Sequence, residues 1–124
     1  MSQKAILVGG ALLGALGVMI GAFGAHGLKA LLAETGQAAT FETAVKYHMY
    51  HALGLFVVAW AVGRWPGGLS QWAGWLLVAG TVLFSGSLYA LALTGIRWLG
   101  AVTPLGGIAF LTGWLCLALS ARQS

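Results

Sequence analysis

Three stretches of the chain run apolar from one charged residue to the next. Ala5 to Ala25 lies between Lys4 and Lys29, Trp72 to Leu93 between Arg64 and Arg97, and Leu99 to Leu119 between Arg97 and Arg122. A hydrocarbon layer about 30 Å thick is crossed by roughly 20 helical residues, so each stretch is long enough to cross alone. A fourth is apolar throughout only from Ala52 to Val62, too short for a crossing. A span ending near Gly63 must therefore begin near Ala44 or Val45, which draws Lys46, Tyr47, His48, Tyr50 and His51 into its first two turns. The pattern predicts spans over 5–25, 44–63, 71–93 and 98–120.

Between the first two spans, Leu28, Leu31 and Leu32 fall on one helical face with Lys29 and Glu34 off it. This predicts a short interfacial helix over 27–35. Gly36 suits its C-terminal cap, and Thr40 suits the N-cap of the next helix, with Glu42 in the first turn. The connections at 64–70 and 94–97 are short and force neighbouring spans to run antiparallel. The expected fold class is thus all-α: a polytopic membrane protein, one domain over 1–124, with four transmembrane helices in a compact antiparallel bundle. A cleaved leader is the rival reading of the first stretch, but leader cores run about 7 to 15 apolar residues, and this one is longer, so a retained helix is expected.

Composition supports lipid as the solvent. Of 124 residues 60% are hydrophobic and 6% charged, against about 25% charged in ordinary soluble domains. The net charge of +4 comes from six Lys and Arg spread singly, which gives no clustered surface for nucleic acid. Cys116 is the only cysteine, so neither an intrachain disulfide nor a cysteine metal cluster can form. Four crossings put Lys4, Arg64 and Arg122 on one side and Lys29, Lys46 and Arg97 on the other. The positive-inside rule counts Lys and Arg and returns a tie. Lys46, drawn into the span, votes poorly, which tilts both termini toward the cytoplasm.

Helices in lipid associate through close backbone approach and interhelical hydrogen bonds. Gly10, Gly14, Gly17, Gly21 and Gly24 recur at spacings of four, three, four and three, a stripe that reads as a packing groove for a neighbouring helix. Gly106 reads the same way in the fourth span, where Pro104 predicts a static kink. In the third span Thr81, Ser85 and Tyr89 lie at i, i+4 and i+8, with Ser87 one step aside; their hydroxyls read as interhelical glue.

His48 and His51 lie three apart in the second span, and His26 closes the first at the same membrane face. The topology therefore predicts a polar layer of His26, Tyr47, His51, Ser85, Ser87 and Tyr89. Three imidazoles could relay protons or hold a metal or haem. Enzyme chemistry fares worse. The chain has no aspartate, Glu34 and Glu42 flank the interfacial loop, and no GxSxG, HExxH, P-loop or CxxCH pattern occurs.

The ordered strings "GAFGAHGL", "FETAVKYHMYHALGL", "FSGSLYALALTG" and "LGAVTPLGG" resemble the YgdD and YwdK family of small bacterial inner-membrane proteins, a domain of unknown function with a vertebrate transmembrane relative. The resemblance covers essentially the whole chain. It implies a multi-pass protein of the bacterial inner membrane with no assigned catalytic residue. A glutamine often stands in that family where this chain has His48, which weighs against a mechanism needing all three histidines. The expected role is that of a non-enzymatic, oligomeric structural or accessory membrane protein, with lipid and further copies of itself as partners and no cofactor. The rival is a small-solute or proton transport subunit, or a haem- or metal-binding subunit using His26, His48 and His51.

Overall fold

The computed structural model describes residues 1–123, which form helices and turns with no strand among them. Helix α1, Gln3–Ala25, opens on Ser2, whose hydroxyl accepts the Ala5 N–H at 3.0 Å, as an N-cap should. Helix α2, Lys29–Thr35, is the short helix the leucine pattern predicts. Gly36 ends it at φ 67°, in the left-handed region open to glycine without steric cost.

Helix α3, Ala38–Arg64, starts earlier than the capping pattern predicts. Closing the Gly36 turn sends the Gln37 N–H back to the Leu32 carbonyl at 3.2 Å, and the chain is helical from Ala38 onward. Thr40 is therefore inside the helix, donating to the Gln37 side-chain oxygen at 2.6 Å, and Glu42 falls beyond the first turn.

The third apolar stretch is one rod made of three parts: α4, Gly68–Gly80, a π-helical turn over Thr81–Ser85, and α5, Gly86–Thr94. Gly95 ends it at φ 74°. The fourth enters as a 3₁₀ turn, Arg97–Ala101, and becomes α-helical in α6, Thr103–Ser120. This corrects the expected kink. Pro104 stands in the first turn of α6, where a missing N–H has no intrahelical carbonyl to lose and the fixed φ suits a helix start.

Three rods are long and apolar enough to cross a membrane: Gln3–Ala25, Gly68–Thr94 and Arg97–Gln123. Helix α3 has the length, 27 residues, but its first half carries Glu42, Lys46, Tyr47, His48, Tyr50 and His51.

Helix α3 is the central element, packing against α1, α4, the π turn and α5. Its buried Leu55, Val58 and Ala59 join Ile6, Ala73, Leu77 and Phe110 in the main apolar core. A smaller cluster of Leu32, Phe41 and Ala92 seats α2 against α3 and α5. The glycine stripe of α1 forms its seam with α3 at four of five positions. A β-carbon at Gly10 would lie 3.0 Å from the Ala52 carbonyl oxygen, and one at Gly21 3.3 Å from Val45; at Gly17 and Gly24 it would strike Met49 and the Phe41 ring. Gly14 is the exception, with nothing within 4 Å. On α6, a β-carbon at Gly106 would run into the backbone of Phe84 in the π turn.

Candidate functional site

The polar residues of α3 are positioned by two different neighbours. His48, on the side facing α1, is buried. Its Nε2 lies 2.7 Å from the Leu13 carbonyl oxygen of α1, and its Nδ1 2.8 Å from the Tyr89 hydroxyl of α5. A carbonyl only accepts, so Nε2 donates to Leu13, and in the neutral ring Nδ1 accepts from Tyr89. One imidazole thus ties three rods together.

His51, also buried, takes the opposite tautomer. Its Nδ1–H donates to the Tyr47 carbonyl at 2.7 Å, one turn back in α3, and its Nε2 accepts the Trp114 indole N–H from α6 at 3.0 Å. The ring lies flat on Phe110, with centroids 3.5 Å apart and planes 6° apart. Both ring nitrogens of both histidines are therefore occupied. A metal ion could be ligated here only by displacing one of these bonds.

His26 does not join them. It is the exposed C-terminal cap of α1, whereas Leu13, the partner of His48, lies one residue from the middle of that helix. The three histidines are thus not at one depth, and no group of three His, Cys, Asp or Glu suited to a metal occurs among the described residues.

The hydroxyls of the third rod reach outward from the π turn and α5. Buried Ser85 donates to the Ala44 carbonyl of α3 at 2.8 Å. Ser87 shares a 2.6 Å hydrogen bond with Thr103 at the start of α6. Thr81 bonds within its own rod, to Leu77 at 2.8 Å. Thr35 of α2 donates to the Ala92 carbonyl at 2.8 Å, fastening the short helix to the end of α5. Glu42 and Lys46 form the i, i+4 pair that their spacing predicts, at 3.3 Å on the exposed face of α3.

Between α3 and α6 an open groove of about 480 Å³ is walled by Tyr47, Tyr50, His51, Phe84, Phe110 and Trp114. Tyr47 sits with its ring 4.6 Å from Phe84 and 5.7 Å from Tyr50. Sequence reasoning missed the α6 half of this groove. Its signal is helical spacing: Gly106, Phe110 and Gly113 recur at i, i+4 and i+7, with Trp114 beside them, a face of small and aromatic residues turned toward α3 and α4. The partner carbonyls of Leu13 and Ala44 leave no trace in side-chain pattern.

Comparison with known proteins agrees with this membrane architecture. The family model described as "Protein of unknown function (DUF423)" matches residues 20–107. The UPF0382 membrane protein YwdK of Bacillus subtilis (strain 168) is 50% identical over 120 residues, covering 96% of this chain and 97% of its own. A UPF0382 membrane protein of Staphylococcus haemolyticus is also 50% identical, over 118 residues and 95% of each chain. No solved structure matches. Matched over nearly its full length by membrane proteins of one kind, the chain belongs to the DUF423 (UPF0382) family of membrane proteins of unknown function.

Proposed function

We propose that this protein is a non-enzymatic, four-span bundle of the bacterial inner membrane, with both termini cytoplasmic, that assembles with further copies of itself and serves as a structural or accessory subunit. The observation that carries the reading is where the buried polar groups go. His48, Ser85 and Ser87 each bond a different rod, and His51 holds Trp114 of α6. These groups are spent on helix association, the use that lipid favours.

The register between α1 and α3 supports the fourth crossing. Gly24 meets Phe41, Gly21 meets Val45, Gly17 meets Met49, Gly10 meets Leu55, and Gly63 meets Gln3. As the number rises along α1 it falls along α3, over the whole of α1. If α1 crosses the membrane, an antiparallel partner of equal reach crosses beside it. Met1 bonds Gln71, and Gln123 approaches Gly67, which supports placing both ends of the chain on the α3–α4 side. Assembly with further copies is the part of this reading that native mass tests.

The test pairs His48→Ala and His51→Ala with His26→Ala in detergent-purified protein and in vesicles. The first two should weaken thermal stability and assembly measured by native mass, while His26→Ala should leave both unchanged. Intact assembly with altered proton or solute flux in His48→Ala vesicles would replace this reading with a transport one.

A further inference from the structure

The groove between α3 and α6 has walls of one kind and a mouth of another. Its floor is rigid: Phe110 is stacked on His51, and His51 is held by the Tyr47 carbonyl while holding Trp114 in turn. Its lip carries two phenols, Tyr47 at 39% and Tyr50 at 55% exposure, whose hydroxyls have no hydrogen-bond partner among the described residues. Tyr50 lies between Met49, which faces Gly17, and Ala52, which faces Gly10. On the four-span reading, on which this inference rests, it is level with the middle of α1. An unpaired hydroxyl in hydrocarbon is costly, and an acyl chain offers it nothing. Opposite the phenols the α6 wall is cut back at Gly107, where a β-carbon would meet nothing within 4 Å.

We propose that this groove binds a flat, membrane-soluble carbonyl compound of the quinone class, its ring lying against the aromatic walls and its carbonyl oxygens accepting from the Tyr47 and Tyr50 hydroxyls. Planar aromatic surfaces favour an aromatic ring over a flexible chain, and phenol donors demand acceptors, which quinone carbonyls supply. Few polar groups in an otherwise apolar concavity is the usual make-up of a small-molecule site.

The probe is dimethylnaphthoquinone, whose fully substituted quinone ring leaves no open position for the Cys116 thiol to add to, with dimethylnaphthalene as its carbonyl-free control. Quinone binding is read as saturable quenching of tryptophan fluorescence in micelles, and hydrocarbon binding as its competition against that quenching. The quinone should saturate and the hydrocarbon should bind at least about threefold more weakly; Tyr47→Phe and Tyr50→Phe should each weaken quinone binding by about threefold to tenfold, the worth of one hydrogen bond. Gly107→Leu places its β-carbon in open space, extends into the groove, and should abolish saturation while helicity by circular dichroism is kept. Equal binding of the hydrocarbon, or binding unchanged in Gly107→Leu, overturns the proposal. A change of native mass in Gly107→Leu without prior quinone binding identifies the groove as an interface between copies and overturns it too. The span is checked separately. In a Cys116→Ala background, Tyr50→Cys labelled by impermeant maleimide as fast as Gln123→Cys would remove the depth on which the proposal rests, whatever the quenching shows.

Discussion

The two sides of α3 solve the same packing problem in opposite ways. Toward α1 the contact is made by small residues: Gly10, Gly17, Gly21 and Gly24 let a second backbone come close enough for Met49, Val45 and Phe41 to fill the seam. Toward α6 it is made by large flat rings, Tyr47, His51, Phe84, Phe110 and Trp114, which hold the helices apart and leave a groove. The histidines follow suit. His48 reaches across the closed seam to a backbone carbonyl of another helix, whereas His51 bonds its own helix and spends its second nitrogen holding an aromatic neighbour. Residues three apart on one helix thus do different work because each neighbour presents a different surface. One side is built to close, the other to stay open.

Enlarging the small residues should break that contrast most severely. Gly106→Leu drives a side chain into the Phe84 backbone, which cannot yield as a side chain can, and should cost about 3 kcal/mol or more or prevent folding, read as lost helicity and aggregation in detergent. Gly17→Leu meets the flexible Met49 instead and should cost about 1–3 kcal/mol, while Gly14→Leu, with open space before it, should stay within about 0.5 kcal/mol. Thermal melts of the pair in one detergent check the difference. Equal losses would show that the stripe does not act through α3.

Next come the histidines. His48→Ala removes two interhelical bonds, those to the Leu13 carbonyl and the Tyr89 hydroxyl, so it should cost about 1–3 kcal/mol. His51→Ala loses its bonds and the Phe110 stack, and should in addition change the fluorescence of Trp114, which His48→Ala should not. The smallest effect is expected at Ser87→Ala, where one hydroxyl contact to Thr103 is lost; interhelical hydrogen bonds in membranes average about 0.6 kcal/mol.

The helices were legible because charges punctuate them: Lys4, Lys29, Arg64, Arg97 and Arg122 bound each apolar run, and a residue excluded from hydrocarbon is a sharper marker than any propensity. The glycine stripe was legible for a similar reason, since only helical spacing produces it. Depth was not. A helical wheel places His48 and His51 on nearby faces but says nothing about which level of α1 lies opposite, and that register set His26 apart from them. Thr40 and Pro104 were misplaced because each was judged by its own chemistry, while the start of α3 is decided by the Gly36 turn and the start of α6 by the preceding 3₁₀ turn. The α6 wall of the groove needed two helices at once.

The π turn at Thr81–Ser85 sets a length rule for the third rod. One residue of α-helix is worth about 100° of rotation, and a π turn accommodates an extra residue within a helix. Everything beyond it is turned accordingly, including Ser87 toward Thr103 and Tyr89 toward His48. Deleting a single residue between 81 and 85 would restore a regular helix locally and unscrew the whole of α5 from its partners. In this rod the reading frame of the helix is thus under tighter constraint than any one side chain, and relatives should tolerate replacements there far more readily than changes in residue number.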